Sequence, residues 1–308
     1  MNLQTYLAEL ANSGRPLLAS KLANLSQLSP EERDEFEALW PRIEPDRRLQ
    51  ILGMMNELAE DNPELNFHTV DFVSLHDPDP RIRAAALDGL WEYDERDLIP
   101  VLIEFLRGDE DAHVRAEAAL GLGRFVVLGE FGSVYPPDLT LIEDALSESI
   151  GDAAEAEEVR ARALEAIGAC SEPWVSDLIS DAYTSGSQRM QVSAIHAMGR
   201  SCDADWLPDI IQQLQNDDPE VRYEAATAAG TIGDEAAVPH LAFLVHDEDS
   251  EVQQVAIEAL GEIGGPEARG VLLRVLSSGD ERAGEIAREA LASMELAGAA
   301  GEDELDEL

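Results

Sequence analysis

Lysine is all but missing from this chain of 308 residues: Lys21 stands alone, and the other 20 basic residues are arginine. Cations of any kind are scarce, 21 against 64 carboxylates, which leaves a formal charge of −43. A nucleic-acid binder needs a cationic face to meet phosphates, so that class is excluded. Docking on anionic lipid is excluded for the same reason. Aromatic residues make up 5% of the chain, few for the core of a sandwich or barrel and ordinary for stacked helices. No apolar run approaches the roughly 18 residues of a membrane span. The start, Met1-Asn2-Leu3-Gln4-Thr5-Tyr6, lacks the cationic and apolar regions of a secretory signal. Cys170 and Cys202 build neither a disulfide framework nor a CxxC site, and read as small core residues of a reducing compartment. These absences point to the cytoplasm, with neither membrane nor nucleic acid as partner.

What is present is a repeat. The pattern Asp-x-x-Val-Arg-x-x-Ala-φ-x-Ala-Leu-Gly, with φ apolar, recurs with its Val position at Ile82, Val114, Val159, Met190, Val221, Val252 and Ala283. The spacings are 32, 45, 31, 31, 31 and 31 residues, and a fixed period of this size signals an array of small structural units. Three residues before each anchor stand Asp79, Asp111, Ala156, Ser187, Asp218, Asp249 and Asp280. Six of the seven carry an oxygen able to accept from a free N–H of the first helical turn. Pro80 and Pro219 follow two of them, where a missing N–H costs nothing. Anchor, +4, +7 and +8 form one helical stripe, and its small residues (Ala86, Ala118, Ala163, Ala194, Ala225, Ala256 and Ala287 at +4) let helices approach closely. Gly123, Gly168, Gly199, Gly230 and Gly261 sit at +9. Upstream of each anchor lies another apolar segment, such as Leu98-Ile99-Pro100-Val101-Leu102-Ile103, so each unit reads as helix, turn, helix. One such pair cannot bury its own apolar faces, and stacking supplies the missing cover. The expected fold is all-α: an α-solenoid (superhelix) of stacked antiparallel helix pairs repeating about every 31 residues.

The units Asp111-Ala112-His113-Val114-Arg115-Ala116-Glu117-Ala118-Ala119-Leu120-Gly121 and Asp218-Pro219-Glu220-Val221-Arg222-Tyr223-Glu224-Ala225-Ala226 resemble HEAT repeats. In particular they resemble the short bacterial type named after phycobilisome (bilin) lyases. The resemblance covers about residues 70–295 and implies a fold and, for most such proteins, a protein-binding scaffold. Deoxyhypusine hydroxylases, which are HEAT-repeat enzymes, hold iron through His-Glu dipeptides, and this chain contains none.

Outside the regular array, residues 1–45 read as an N-terminal helical cap, with Ser29 and Glu32 placed as a capping box. Residues 46–296 read as the HEAT-like solenoid, and Asp46 to Leu58 as the second helix of a degenerate first repeat with Leu49 in the anchor register. The 45-residue spacing holds an insertion near 124–138, the least acidic and most aromatic stretch, including Phe125, Phe131 and Tyr135. Insertions in such arrays map to one face, often a binding face. Residues 297–308 read as an acidic, disordered tail.

Candidate chemistry is thin. The six histidines, His68, His76, His113, His196, His240 and His246, have no zinc-ligand spacing, and the Asp-rich turns lack the Gly and Glu of a calcium loop. No phosphate loop, nucleophile elbow or metal motif appears. The expectation is no catalytic residue, no metal and no cofactor. Arg83, Arg115, Arg160 and Arg222, one past the anchor, read as partners of the cap acids rather than as an anion-binding ladder. The functional expectation is a non-catalytic scaffold that binds a protein or peptide in its concave groove, with a bilin lyase-like chromophore-handling factor for a phycobiliprotein as the alternative. Groove and insertion supply the candidate partner-binding residues: Trp91, Arg124, Phe131, Tyr135, Arg162, His196, Arg200, Tyr223, Glu224 and Glu258. The charge suggests a basic partner, steered by complementarity; the even spread of the acids along the chain favours a halophilic or high-GC background as the source of the acidity.

Overall fold

A computed structural model describes residues 3–12 and 14–306, with side chains for 5–12 and 14–296. It is all-α, about 75% helical, with no strand among the described residues. The first helices are α1 (Leu3–Leu10), α2 (Ala19–Leu22), α3 (Pro30–Leu39), α4 (Pro45–Asp61), α5 (His68–Ser74), α6 (Pro80–Gly89), α7 (Leu98–Gly108), α8 (Ala112–Glu130) and α9 (Pro136–Gly151). They continue with α10 (Glu157–Ile167), α11 (Pro173–Tyr183), α12 (Gln188–Arg200), α13 (Leu207–Gln213), α14 (Pro219–Ile232), α15 (Val238–Leu244), α16 (Ser250–Ile263), α17 (Gly265–Leu276) and α18 (Glu281–Asp306). Packing divides the chain into two compact units, Met1–Ala166 and Ile167–Leu308.

Each unit is a stack of antiparallel helix pairs, the α-solenoid arrangement. In the first unit α5, α7 and α9 supply the first helix of each pair, and α6, α8 and α10 the second; α3 packs on α5 and α4 on α6. In the second unit α12, α14, α16 and α18 form the row of second helices, each packed on the next. The expected tail at 297–308 concerns residues whose side chains, and at 307–308 whose backbone, lie outside the described residues.

Local chemistry sets the helix starts. All six cap oxygens accept from the first turn: Asp79 from Arg81 N–H, Asp111 from His113, Ser187 from Met190, Asp218 from Glu220, Asp249 from Glu251 and Asp280 from Ala283. Ser29 and Glu32 form the reciprocal capping box at α3. The stripe is the core: no anchor side chain is more than 3% exposed, and every +4 alanine is at 0%. Cys170 is buried, whereas Cys202 is exposed in the turn after α12, in a left-handed conformation (φ 50°), so it is not a core residue.

The insertion is mostly helix. Residues 124–130 prolong α8 to 19 residues, and 136–138 open α9, leaving only residues 131–135 as a connection. Phe125 anchors it at 2% exposure while Phe131 stands 80% exposed.

Three of the four arginines one past the anchor, Arg83, Arg115 and Arg222, do join repeats, but not through cap acids. Each cap carboxylate is turned into its own helix start, so the guanidinium meets the acid just before the next cap. Arg83 grips Asp109 with Nε and Nη2, both at 2.8 Å, and donates to the carbonyl of Asp77 in its own turn at 2.9 Å. Arg115 repeats this with Glu155 and the carbonyl of Asp109, and Arg222 with Asp247 and the carbonyl of Asn216. Arg160 reaches only a carbonyl, that of Ile150. A rung that the spacing hides is Arg48 with Asp77, at 3.0 Å and almost wholly buried. It places the anchor of the degenerate repeat at Arg47 rather than Leu49: Ile51 and Met55 at +4 and +8 are then at 0% exposure, while Gly53, the +4 position of a Leu49 anchor, is exposed.

Candidate functional site: a notch where the repeat rule breaks

Second helices join by a rule of small residues. The +9 glycine of one repeat lies against the +7 alanine of the next: a Cβ on Gly199 would come within 2.8 Å of the Ala228 Cα, and one on Gly123 within 3.0 Å of the Ala166 Cα. Here the two helix backbones are in direct contact. In two successive repeats the rule is inverted. At +9 stand Asn56, counted from Arg47, and Trp91, and the facing +7 positions are Gly89 and Gly121. A large side chain on one helix is met by a missing one on the next.

At Asn56 the inversion is filled. A Cβ on Gly89 would lie 2.8 Å from Asn56 Oδ1 and 2.9 Å from Asp71 Oδ1, and Asn56 donates to the carbonyl of Ala85 and to Asp88. Asp71 is wholly buried, and its Oδ1 has no hydrogen-bond partner. Burial first, then the Asp88 charge, holds its pKa well above the ordinary carboxyl value.

At Trp91 the inversion leaves a notch of about 200 Å3 between α6 and α8. Its apolar walls are Leu87, Leu90, Leu98, Leu102, Leu120 and Phe125, over Gly121. The rim carries Trp91 (51% exposed), Tyr93 and Arg124, with carboxylates from Asp88 and Glu117. Arg124 donates to the Trp91 carbonyl and lies 3.6 Å from Asp94, which fixes the turn that bears the indole. Glu117 has His113 at 3.9 Å; burial, ahead of every neighbouring charge, raises its pKa. A half-buried carboxylate with so little compensation is a place where an added cation gains more than it would in water.

Of the residues nominated from sequence, the structure brings Trp91 and Arg124 together at this notch. Arg162 is ion-paired with Glu165 at 2.7 Å and Glu158 at 3.3 Å on its own helix. Phe131 is exposed at the end of α8, and Tyr135 carries the Arg96 guanidinium 4.9 Å above its ring. In the second unit His196 Nδ1 and Glu224 Oε1 are 2.9 Å apart, Tyr223 is 41% exposed, Arg200 is exposed at the end of α12, and Glu258 accepts from Gln254 at 2.9 Å. The candidate residues drawn from sequence do not include Asp88, Glu117, Leu120 or Tyr93. The signal that finds them is the pairing of Trp at +9 with Gly at the next +7. Among the described residues no group of three or more His, Cys, Asp or Glu side chains is placed to hold a metal ion, and no helix is long and apolar enough to cross a membrane.

The comparisons agree with this architecture. The sequence matches the HEAT-repeat family over residues 72–152, 175–242 and 241–308, and the chain belongs to that family. No curated protein matches it. Among solved structures it is similar to the complex of CpcE and CpcF of phycocyanin lyase from Nostoc sp. PCC7120, at 18% identity and a TM-score of 0.54, over 92% of this chain and 96% of that one. It is also similar to Kap121p (15% identity, TM-score 0.49, 96% of this chain and 38% of that one). An engineered protein is a third (24%, 0.42, 65% and 97%). At these identities the likeness is one of fold.

Proposed function

We propose that the protein is a non-catalytic scaffold that binds a segment of a protein partner along its second-helix face, with the notch under Trp91 as the anchor point in the first unit. The observation that carries this is a half-exposed Trp91 and a half-buried, poorly compensated Glu117 on either side of an apolar slot. The slot suits one long basic side chain: its methylenes lie along Leu87, Leu90 and Leu120 and its head reaches Glu117 and Asp88. Indole and guanidinium groups are the usual anchors of protein interfaces, which gives Trp91 and Arg124 their roles. Tyr223, the His196–Glu224 pair, Arg200 and Glu258 are the contacts of the second unit, and residues 1–45 cap the stack. The net charge of −43 speeds arrival of a basic partner. Chromophore handling has only the likeness of fold behind it.

The test uses a peptide array in which one position runs through Lys, Arg, Ser and Glu between apolar neighbours, probed with the whole chain. Lys or Arg is expected to give the strongest binding, and Trp91→Ala and Glu117→Gln each to weaken it about tenfold. Indifference to the basic position, or binding untouched by both variants, rejects the reading.

A further inference from the structure

The spacing that contains the insertion exceeds the period by 14 residues, and the helix that follows the insertion, α9, is one of the first helices. Between α7 and α9 runs a trough of about 660 Å3, lined by Ile99, Pro100, Ile103 and Leu141 among others. Pro100 and Leu141 are exposed, with the edges of the buried Ile99 and Ile103 as the floor beneath them, so the strip is apolar and open. Arg96 closes one end, beneath Tyr135, and Arg107 the other.

The charges of the trough can be followed one by one. Arg96 is held by Asp138 through Nε and Nη2, and Arg107 by Glu148 at 2.7 and 3.2 Å. Both cations are thus already matched by acids of α9. The lining acids Asp97 and Glu104 have no ion pair among the described residues; Asp97 accepts only the Tyr93 hydroxyl. The trough therefore offers an apolar strip edged by unmatched negative charge, on a chain already strongly anionic. Its length is that of α7, 11 residues, or about 16 Å of helix.

We infer that this trough is a second docking surface, which takes an amphipathic, basic helical segment of a protein partner about three turns long. Two or three apolar side chains of the segment cover Ile99, Ile103 and Leu141, and its lysines or arginines face Asp97 and Glu104. The surface lies on the first-helix row and does not depend on the Trp91 notch.

The experiment titrates the whole chain against three synthetic peptides about fourteen residues long that share one leucine stripe and differ in their flanks, Lys, Ser or Glu. Fluorescence anisotropy is read near physiological salt, where long-range attraction to the net charge is screened. The Lys-flanked probe is expected to bind saturably and the Glu-flanked probe not at all. Leu141→Glu, at an exposed site, lowers affinity at least about tenfold, and Glu104→Gln lowers it about threefold. Leu141→Glu is measured in the Trp91→Ala background as well, where the notch no longer contributes, and the same loss is expected there. Absence of saturable binding, equal binding after Leu141→Glu with helical content intact in either background, or preference for the Glu-flanked probe would each overturn the inference.

Discussion

The two units join their repeats differently. In residues 167–308 the anchors keep a strict 31-residue step, and four +9 glycines, Gly168, Gly199, Gly230 and Gly261, lie against Ala197, Ala228, Ala259 and Ala290. There the arginine rung seen is Arg222 with Asp247. In residues 1–166 the step varies, one glycine–alanine contact (Gly123 with Ala166) is made, and three rungs appear: Arg48–Asp77, Arg83–Asp109 and Arg115–Glu155. Repeats of equal length favour the close glycine–alanine approach but are not required for it, since Gly123 meets Ala166 across the 45-residue step. A guanidinium on a flexible stem tolerates unequal ones, because it spans the offset and still finds a carboxylate. The unit whose period varies is also the one with the notch and the trough.

Three perturbations would break or sharpen that contrast. The largest effect is expected from Asp77→Ala, which strands Arg48 at 4% side-chain exposure; loss of one partner from a buried pair costs about 3–5 kcal/mol. Chemical denaturation should show it, whereas removing the exposed Arg107–Glu148 pair should change stability by less than about 1 kcal/mol. Equal effects would mean that the rungs do not hold the first unit together.

Next comes a matched pair of glycine substitutions. Gly199→Ala drives a methyl to 2.8 Å from the Ala228 backbone and should cost about 1–3 kcal/mol despite the better helix propensity of alanine. Gly121→Ala meets only the end of Leu102, at 3.2 Å, and should be neutral or stabilising while it shallows the notch. Thermal melting and peptide binding, measured on both variants, separate packing from function.

The smallest effect concerns pH. Asp71 has a pKa raised by burial and then by Asp88, so between the ordinary value of 3.8 and its own folded value the native state holds a proton that the unfolded chain has released. Stability contributed by Asp71 therefore falls as pH rises through that window. The rung acids behave oppositely. Burial pushes Asp109 and Asp247 up, but hydrogen bonds from Arg83 and Arg222 and neighbouring charges outweigh it, and both end below their ordinary values. Their contribution is present above the ordinary value and is lost as pH falls toward their folded pKa. Asp71→Asn should stabilise the protein at pH 7 on the order of 1 kcal/mol and remove the decline that sets in as pH rises above the ordinary carboxyl value. A variant as pH-sensitive as the parent would show that Asp71 keeps no proton in the folded state.

Much of the fold was legible in the residues because its determinants are local. A cap oxygen, a proline in the first turn and a stripe at +4, +7 and +8 act within one or two helical turns, and each cap side chain bonds as its position requires. The insertion was legible as excess length, yet its form was not: Phe125 and Phe131 look alike in sequence, and only packing buries one and exposes the other. The Leu49 register failed for a related reason. Arg47 and Arg48 occupy buried positions on guanidinium bonds to the Leu10 carbonyl and to Asp77, partners far away in the chain.

The amino-acid order alone therefore determined the helix pairs, their period and their small-residue seam, since these follow from backbone capping and helical periodicity. Tertiary structure decided which carboxylate each arginine grips, and that Trp91 opposite Gly121 opens a notch while Asn56 opposite Gly89 closes around a buried acid. Those outcomes depend on distances between helices some thirty residues apart. Such a distance is the balance of every contact across the seam, and no single residue carries it.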